Sequence, residues 1–439
     1  MTTQTKKSFD FKLYFALLIS LFIPTIYTTV RIFFIGSLPS AKAFSIAGQL
    51  GWINLIYEVF EEAIILPLFY FIGQVIHDKA KLTGRIKSGL TVSAIVYTIL
   101  SVAIIIFVHP LLRLMATGSE ITDASAVYIR IESVGNIFAL MFSFLMVVFT
   151  TIGKEKYLYT LLITKMLLSI LIDTFLVSTL PFSANLGVNG IGFSNIISNI
   201  LLLIVALLIL KKEGIRIFGK EKADYSWIGE LGKIGGISGL ESLVRNLFYM
   251  LMVCRMVNVV GEQGTYWVAN KFIWGWLLLP INALGELIKK ELASDKNAII
   301  EKTKQYFIAT FIICAVWFVT IPVWKPFMQN ILRFNEVEKL FSLVLILIGF
   351  YVAYALQNIF DMTFYGLGKT EYMLWETVVT NVTYYGTFFV LFKTGIFVPT
   401  LTKIAIMFGA GCAYDAIVSG AAYLILRKRM GIIGREPKN

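Results

Sequence analysis

The residues of this sequence that could do chemistry are charged side chains set inside long apolar runs. Arg31, Glu58, Glu61, Glu62, Lys165, Asp173, Glu241, Arg245, Arg255, Lys271, Glu286, Asp361 and Asp415 all lie in such runs. A charge at the centre of a bilayer costs at least about 2.5–3.5 kcal/mol, so each must face a partner or water. Positions 58, 61 and 62 are spaced i, i+3, i+4, which predicts three carboxylates on one helical face. Crowded acids repel one another and can take up H⁺ or Na⁺. Lys165, Lys271 and Glu286 read as snorkelling or register-holding charges, and Glu241 and Arg255 lean the same way. Arg31, Glu58, Glu61, Glu62, Asp173, Arg245 and Asp361 are the candidates for binding a solute or a coupling ion.

The elements that must position them are transmembrane helices. Of the 439 residues, 57% are hydrophobic and only 15% charged, with mean hydropathy +0.78, whereas a soluble domain carries about 25% charged residues. Soluble enzymes, secreted disulfide scaffolds and disordered chains are excluded. Apolar stretches long enough to cross a bilayer predict twelve spans at 12–36, 43–75, 89–115, 124–151, 157–180, 188–210, 230–260, 265–288, 305–332, 337–366, 371–393 and 401–427. The fold class is therefore an all-α polytopic membrane protein. The basic start (Lys6, Lys7, Lys12) precedes an apolar run without an Ala-x-Ala cleavage site, so that run is expected to be a retained first span.

Charge asymmetry sets the orientation. About 25 of the 39 Lys and Arg fall in the start and in 77–87, 153–156, 211–222, 289–304, 368–369 and 427–438, which places both termini in the cytoplasm; the expected location is the plasma membrane. The net charge of +12 reflects this bias; no loop is long enough to form a nucleic-acid face. Cys254, Cys314 and Cys412 sit in apolar runs and read as small hydrophobes. His77 and His109 are too few for a metal site. No nucleophile motif or large soluble loop is present, so the expectation is a monomer that is not an enzyme, with no cofactor beyond a coupling ion, H⁺ or Na⁺.

The longest inside loop divides the chain into a six-helix bundle at 1–210, a linker at 211–229, a second six-helix bundle at 230–427 and a tail at 428–439. A faint repeat supports two pseudo-symmetric halves. Ile152-Gly153-Lys154-Glu155-Lys156-Tyr157, between spans 4 and 5, recurs as Leu367-Gly368-Lys369-Thr370-Glu371-Tyr372, between spans 10 and 11. Parallel repeats of this kind build carriers whose solute site lies between the halves. Inward charges of both signs suit a wet chamber there. Pro24, Pro67, Pro110, Pro280 and Pro322 lie within spans, where each removes a backbone hydrogen bond and permits a kink.

The ordered set of segments resembles the multidrug and toxic compound extrusion (MATE) family, within the exporter and flippase group that shares its fold. The resemblance extends over nearly the whole chain, through the twelve spans, the central inside loop and, in order, the segments Tyr27 to Gly36, Leu186 to Asn195, Gly235 to Leu240, Pro280 to Gly285 and Gly366 to Thr370. The resemblance implies export of small organic solutes by H⁺ or Na⁺ antiport, through two bundles that rock about a central cavity. Arg31 stands where family members usually carry an aspartate, five residues before the glycine matched by Gly36. Asp173 is at the usual acidic place, Ser169 stands where asparagine is common, and Asn195 stands where threonine is common and joins the candidate set. In resembling proteins the first- and fifth-span carboxylates are thought to hold the coupling cation.

A guanidinium in that place would fill the cation's position, since arginine stays charged at any relevant pH. Arg31 is therefore expected to pair with Asp173 or with the Glu61/Glu62 face, leaving coupling to another carboxylate or to Asp361. Two inward arginines favour an anionic or zwitterionic solute. The alternative is a flippase for a lipid-linked or phosphate-bearing glycan, because arginines suit pyrophosphate.

Overall fold

The structure, a computed structural model, describes residues 9–432 except residue 66, and only the main chain at 155. Lys6, Lys7 and the tail at 433–439, which enter the charge argument, lie outside the described residues. The first elements are α1 (Phe11–Gly36), α2 (Ala43–Ile64), α3 (Leu68–Gly73), α4 (Lys79–Leu114), α5 (Ser119–Thr151), α6 (Glu155–Leu176) and α7 (Val188–Lys212). α8 (Ile228–Tyr249) runs through a π segment at Met250–Cys254 into α9 (Arg255–Val259); α10 (Gln263–Phe272) and a second π segment at Ile273–Leu277 lead to α11 (Leu279–Ser294). Then come α12 (Ala298–Glu301), α13 (Thr303–Asn330), α14 (Val337–Gly366) and α15 (Glu371–Val379), a third π segment at Thr380–Tyr385, α16 (Gly386–Lys393) and α17 (Leu401–Arg429). The described residues form no strand.

Among the described residues, nine helices are long and apolar enough to cross a membrane, and Gln263–Leu277 with Leu279–Ser294 makes a tenth, bent by 53°. The expected span at 43–75 is α2 plus α3, and that at 371–393 is α15, its π segment and α16, so twelve passes are consistent with these helices. Prolines explain two of the breaks. Pro67 stands at the N-cap of α3 and Pro280 in the first turn of α11, where the missing N–H costs nothing but the preceding helix cannot continue.

The apolar surface identifies the solvent. On α4, Ile95, Ile99, Val102 and Ile106 are 46–64% exposed, while Ser93, Tyr97 and Ser101 on the opposite face are fully buried. An amphipathic helix in water shows the reverse. The molecule is a multi-pass membrane protein whose outward faces meet lipid.

The chain packs as two compact units, Ile26–Trp267 and Met1–Thr25 with Val268–Asn439. The N-terminal unit is built around Trp52, Phe71, Tyr97, Phe144 and Phe149. The C-terminal unit is built around Leu287, Tyr306, Ile359, Phe364 and Tyr423. Within the N-terminal unit α8 lies close on α2 because two glycines permit it: a Cβ on Gly235 would stand 1.8 Å from the Ala63 carbonyl oxygen, and one on Gly239 would stand 2.8 Å from the Ala63 methyl. Gly235→Ala must therefore push the helices apart, at a cost of about 1–3 kcal/mol typical of overpacking. A lowered Tm in detergent is the expected result, with Gly236→Ala, where the space is open, as the unaffected control.

The linker after α7 is held to the first turns of α4. The Asp224 N–H donates to the Gly84 carbonyl at 3.0 Å, Ser88 donates to the Asp224 carbonyl, and Trp227 Nε1 donates to both Ser88 Oγ and that carbonyl. Hydrogen bonds from Ser226, then the Arg85 guanidinium, hold the Asp224 carboxyl below the ordinary aspartate value. A depressed value stabilises the docked form above the unfolded group's pKa and is lost as pH falls through the folded value. Acidification should release the linker, read as faster pepsin cleavage within 213–226, with Asp224→Asn cleaved readily across the same acid range.

Candidate functional site

Three of the polar clusters inside the helical units carry the candidate residues. The first, in the N-terminal unit, is built on Arg31 of α1. Its Nε and Nη2 donate to Asp173 of α6 at 2.8 and 3.2 Å, a two-pronged contact, and its Nη1 donates to Asn195 Oδ1 of α7 at 2.9 Å. Asn195 in turn donates from Nδ2 to both oxygens of Glu132 on α5, each at 2.9 Å. Asp173 and Glu132 are almost fully buried. Close approach of α5 and α7 makes this possible, since Gly192 meets Ile131 and Gly135 meets Asn195 and Ile196. The node is largely buried: one permanent cation, its side chain 14% exposed, faces two carboxylates, and a single amide links them.

Arg245 of α8 is the centre of the second node, also in the N-terminal unit. It donates to Glu58 at 3.1 Å and Glu62 at 2.7 Å, both on α2, and to Glu241 one turn away at 3.4 Å. Here the side chains of Arg245 and Glu58 remain 41% and 37% exposed, so this node, unlike the first, is open at its edge. Glu61 does not join them. It accepts instead from Ser143 of α5 at 2.8 Å. The i, i+4 pair of α2 thus serves Arg245, while the residue between them turns toward α5. Lys165, read as structural, stands over the Phe142 ring at 5.7 Å.

The third node belongs to the C-terminal unit. Gln357 of α14 donates to Glu376 of α15 and to Asp415 of α17, each at 2.8 Å. Thr380, the first residue of the third π segment, donates to the other Asp415 oxygen. Ser419 of α17 donates to Asp361 at 2.6 Å. Glu376 is 5% exposed and its Oε2 is buried with no hydrogen-bond partner. Among the described residues, no ion pair reaches any of the three acids. An unpaired buried charge is among the costliest groups in a membrane protein, so these three acids are the ones best placed to hold protons; among the described residues no three His, Cys, Asp or Glu side chains are arranged to hold a metal ion.

No family model matches the sequence and no curated protein is similar to it. Solved structures are similar. An inward-facing multidrug resistance MATE family transporter of the MOP superfamily superposes with TM-score 0.80 at 15% identity, covering 97% of this chain and 99% of that one. A Vibrio cholerae MATE transporter does so with TM-score 0.69 at 14% identity, covering 95% and 96%. A MOP superfamily transporter from Pyrococcus furiosus, whose binding pocket is described as reversed in polarity, gives 0.66 at 16%, covering 97% and 96%.

The chain has the MATE transporter fold. Within that fold the expected Arg31–Asp173 pair is present, with Asn195 as its second acceptor. Arg31 does not meet Glu61 or Glu62, which belong to the second node with Glu58 and Arg245 or, for Glu61, to Ser143. Asp361 shares a node with Glu376 and Asp415. Glu132 and Glu376 went unnoticed in the sequence, although each is an acid within an expected span. The same search for charges inside apolar runs would have found both.

Proposed function

We propose that this protein is a secondary active exporter of small organic solutes, working by alternating access of two six-helix halves and driven by inward flow of H⁺ or Na⁺ across the plasma membrane, with both termini in the cytoplasm. The observation that carries the reading is the contrast between the first and third nodes. Arg31 already occupies the position of a cation beside Asp173, so ion exchange falls to the acids that no side-chain cation neutralises: Asp361, Glu376 and Asp415. The MATE fold supports transport over a structural role.

Solute charge follows from the second node. Both arginines are outnumbered by carboxylates, so the exposed surplus near Glu58 and Glu62 is negative and favours a cationic solute. The anionic or zwitterionic expectation rested on arginines free to bind it. The flippase alternative rested on those same arginines reaching phosphate, and their engagement by acids weakens it.

The test is efflux from proteoliposomes under separately imposed pH and Na⁺ gradients, with a lipophilic cation and an organic anion as solutes. Gradient-driven movement of the cation is the expected result. Movement of neither solute under either gradient would reject the exporter.

A further inference from the structure

We propose that the loop between α7 and α8 is a lipid-binding hook, which seats Phe218 among the acyl chains while Arg216, Lys220 and Lys222 bind anionic phospholipid headgroups. The loop is a folded element. Ile215 and Trp227 are each 3% exposed and anchor its two ends, and Lys87 Nζ donates to the carbonyls of Gly219 and Glu221, both at 2.7 Å. Between these anchors Phe218 points outward with 91% of its surface exposed, and Tyr225 is 52% exposed. Of the large hydrophobic side chains among the described residues, Phe218 is the most exposed, and its position gives that exposure a meaning that a single apolar residue would otherwise lack.

Height along α4 says which partner. The apolar run of α4 begins near Leu90, three residues beyond Lys87, or about 4.5 Å at the helical rise of 1.5 Å per residue. Lys87 holds the main chain of residues 219 and 221, which places Phe218 at the boundary of the hydrocarbon layer rather than out in the aqueous phase. The charges agree. Glu213 is paired with Lys154 and Asp224 with Arg85, whereas Arg216, Lys220 and Lys222 on one side and the single acid Glu221 on the other enter no ion pair among the described residues, which leaves the unpaired charge of the loop positive. Lys211 and Lys212 close α7 on the same side. The loop therefore offers basic groups around an apolar tip, the pattern that binds an anionic leaflet.

The inference stands whether or not the chain is an exporter, and its test does not use transport. Phe218→Cys carries a nitroxide in the full-length protein, reconstituted into vesicles of pure phosphatidylcholine and of phosphatidylcholine with one quarter phosphatidylglycerol. Collision with oxygen, which concentrates in lipid, is compared with collision with a water-soluble nickel chelate. Labelled protein without the new cysteine measures the contribution of Cys254, Cys314 and Cys412. The expected result is an oxygen-dominated label in the anionic vesicles, with the ratio of seated to withdrawn loop falling about fivefold for each of Arg216→Gln, Lys220→Gln and Lys222→Gln. Nickel-dominated exposure in both vesicles overturns the proposal. So does an oxygen-dominated signal unaffected by the anionic lipid, and so does protection that appears only when a soluble protein fraction is added.

Discussion

Asp361→Asn is expected to abolish most gradient-driven efflux while leaving the protein folded. The substitution keeps the shape and the hydrogen bond from Ser419 but removes a group able to exchange a cation. A coupling ion acts through its differential affinity for the two access states, typically worth about 1–3 kcal/mol. Losing it should lower the driven rate by roughly 5- to 150-fold. Glu376→Gln and Asp415→Asn, tied to the same node through Gln357, should fall in the same range. Downhill exchange of labelled for unlabelled solute, which needs no coupling ion, should persist in all three. Proteoliposome efflux under an imposed gradient, set beside that exchange assay, separates the two. Equal loss of both would assign the node to solute binding or to folding, and unaltered driven efflux would remove it from coupling.

The second large effect concerns Arg31. Arg31→Ala leaves Asp173 and Glu132 buried without their cation, and breaking a buried ion pair by removing one partner costs about 3–5 kcal/mol. A marked fall in Tm is expected, with recovery of part of the loss in Arg31→Ala/Asp173→Asn, where the stranded charge is gone as well. Arg31→Lys should rescue poorly, because one ammonium cannot reproduce a fork that reaches Asp173 and Asn195 together. Na⁺ should raise the Tm of Arg31→Ala but not of the unaltered protein, since the vacated place then has two carboxylates and an amide to receive it. A Tm that Na⁺ leaves unmoved in both would mean that the guanidinium is a structural cross-link only.

How far these nodes were legible in advance varies with the kind of constraint. Arg31, Asp173, Glu58, Glu62, Arg245 and Asp361 stand out in the bare sequence because the cost of a charge in hydrocarbon attaches to each residue separately. The helical face that predicts Glu58, Glu61 and Glu62 together is a local property, and it left undecided which neighbour each acid would meet. Packing decided it: α5 lies near enough to claim Glu61 through Ser143, and α8, drawn in at Gly235 and Gly239, claims the other two. Glu376 and Asp415 gained a role only when Gln357 was seen to bridge them.

The sequence alone determined that the chain lives in a bilayer, crosses it many times and carries charges that cannot face lipid, because hydrophobicity and charge act over one helix at a time. Only the tertiary structure decided that Arg31 is already satisfied by an acid 142 residues away, and that Arg245 is held by acids 183 and 187 residues away. It likewise decided that the three acids of the C-terminal unit have no side-chain cation beside them among the described residues. Partner choice depends on which helices lie side by side, and adjacency over such separations is set by interhelical packing, which no local pattern records.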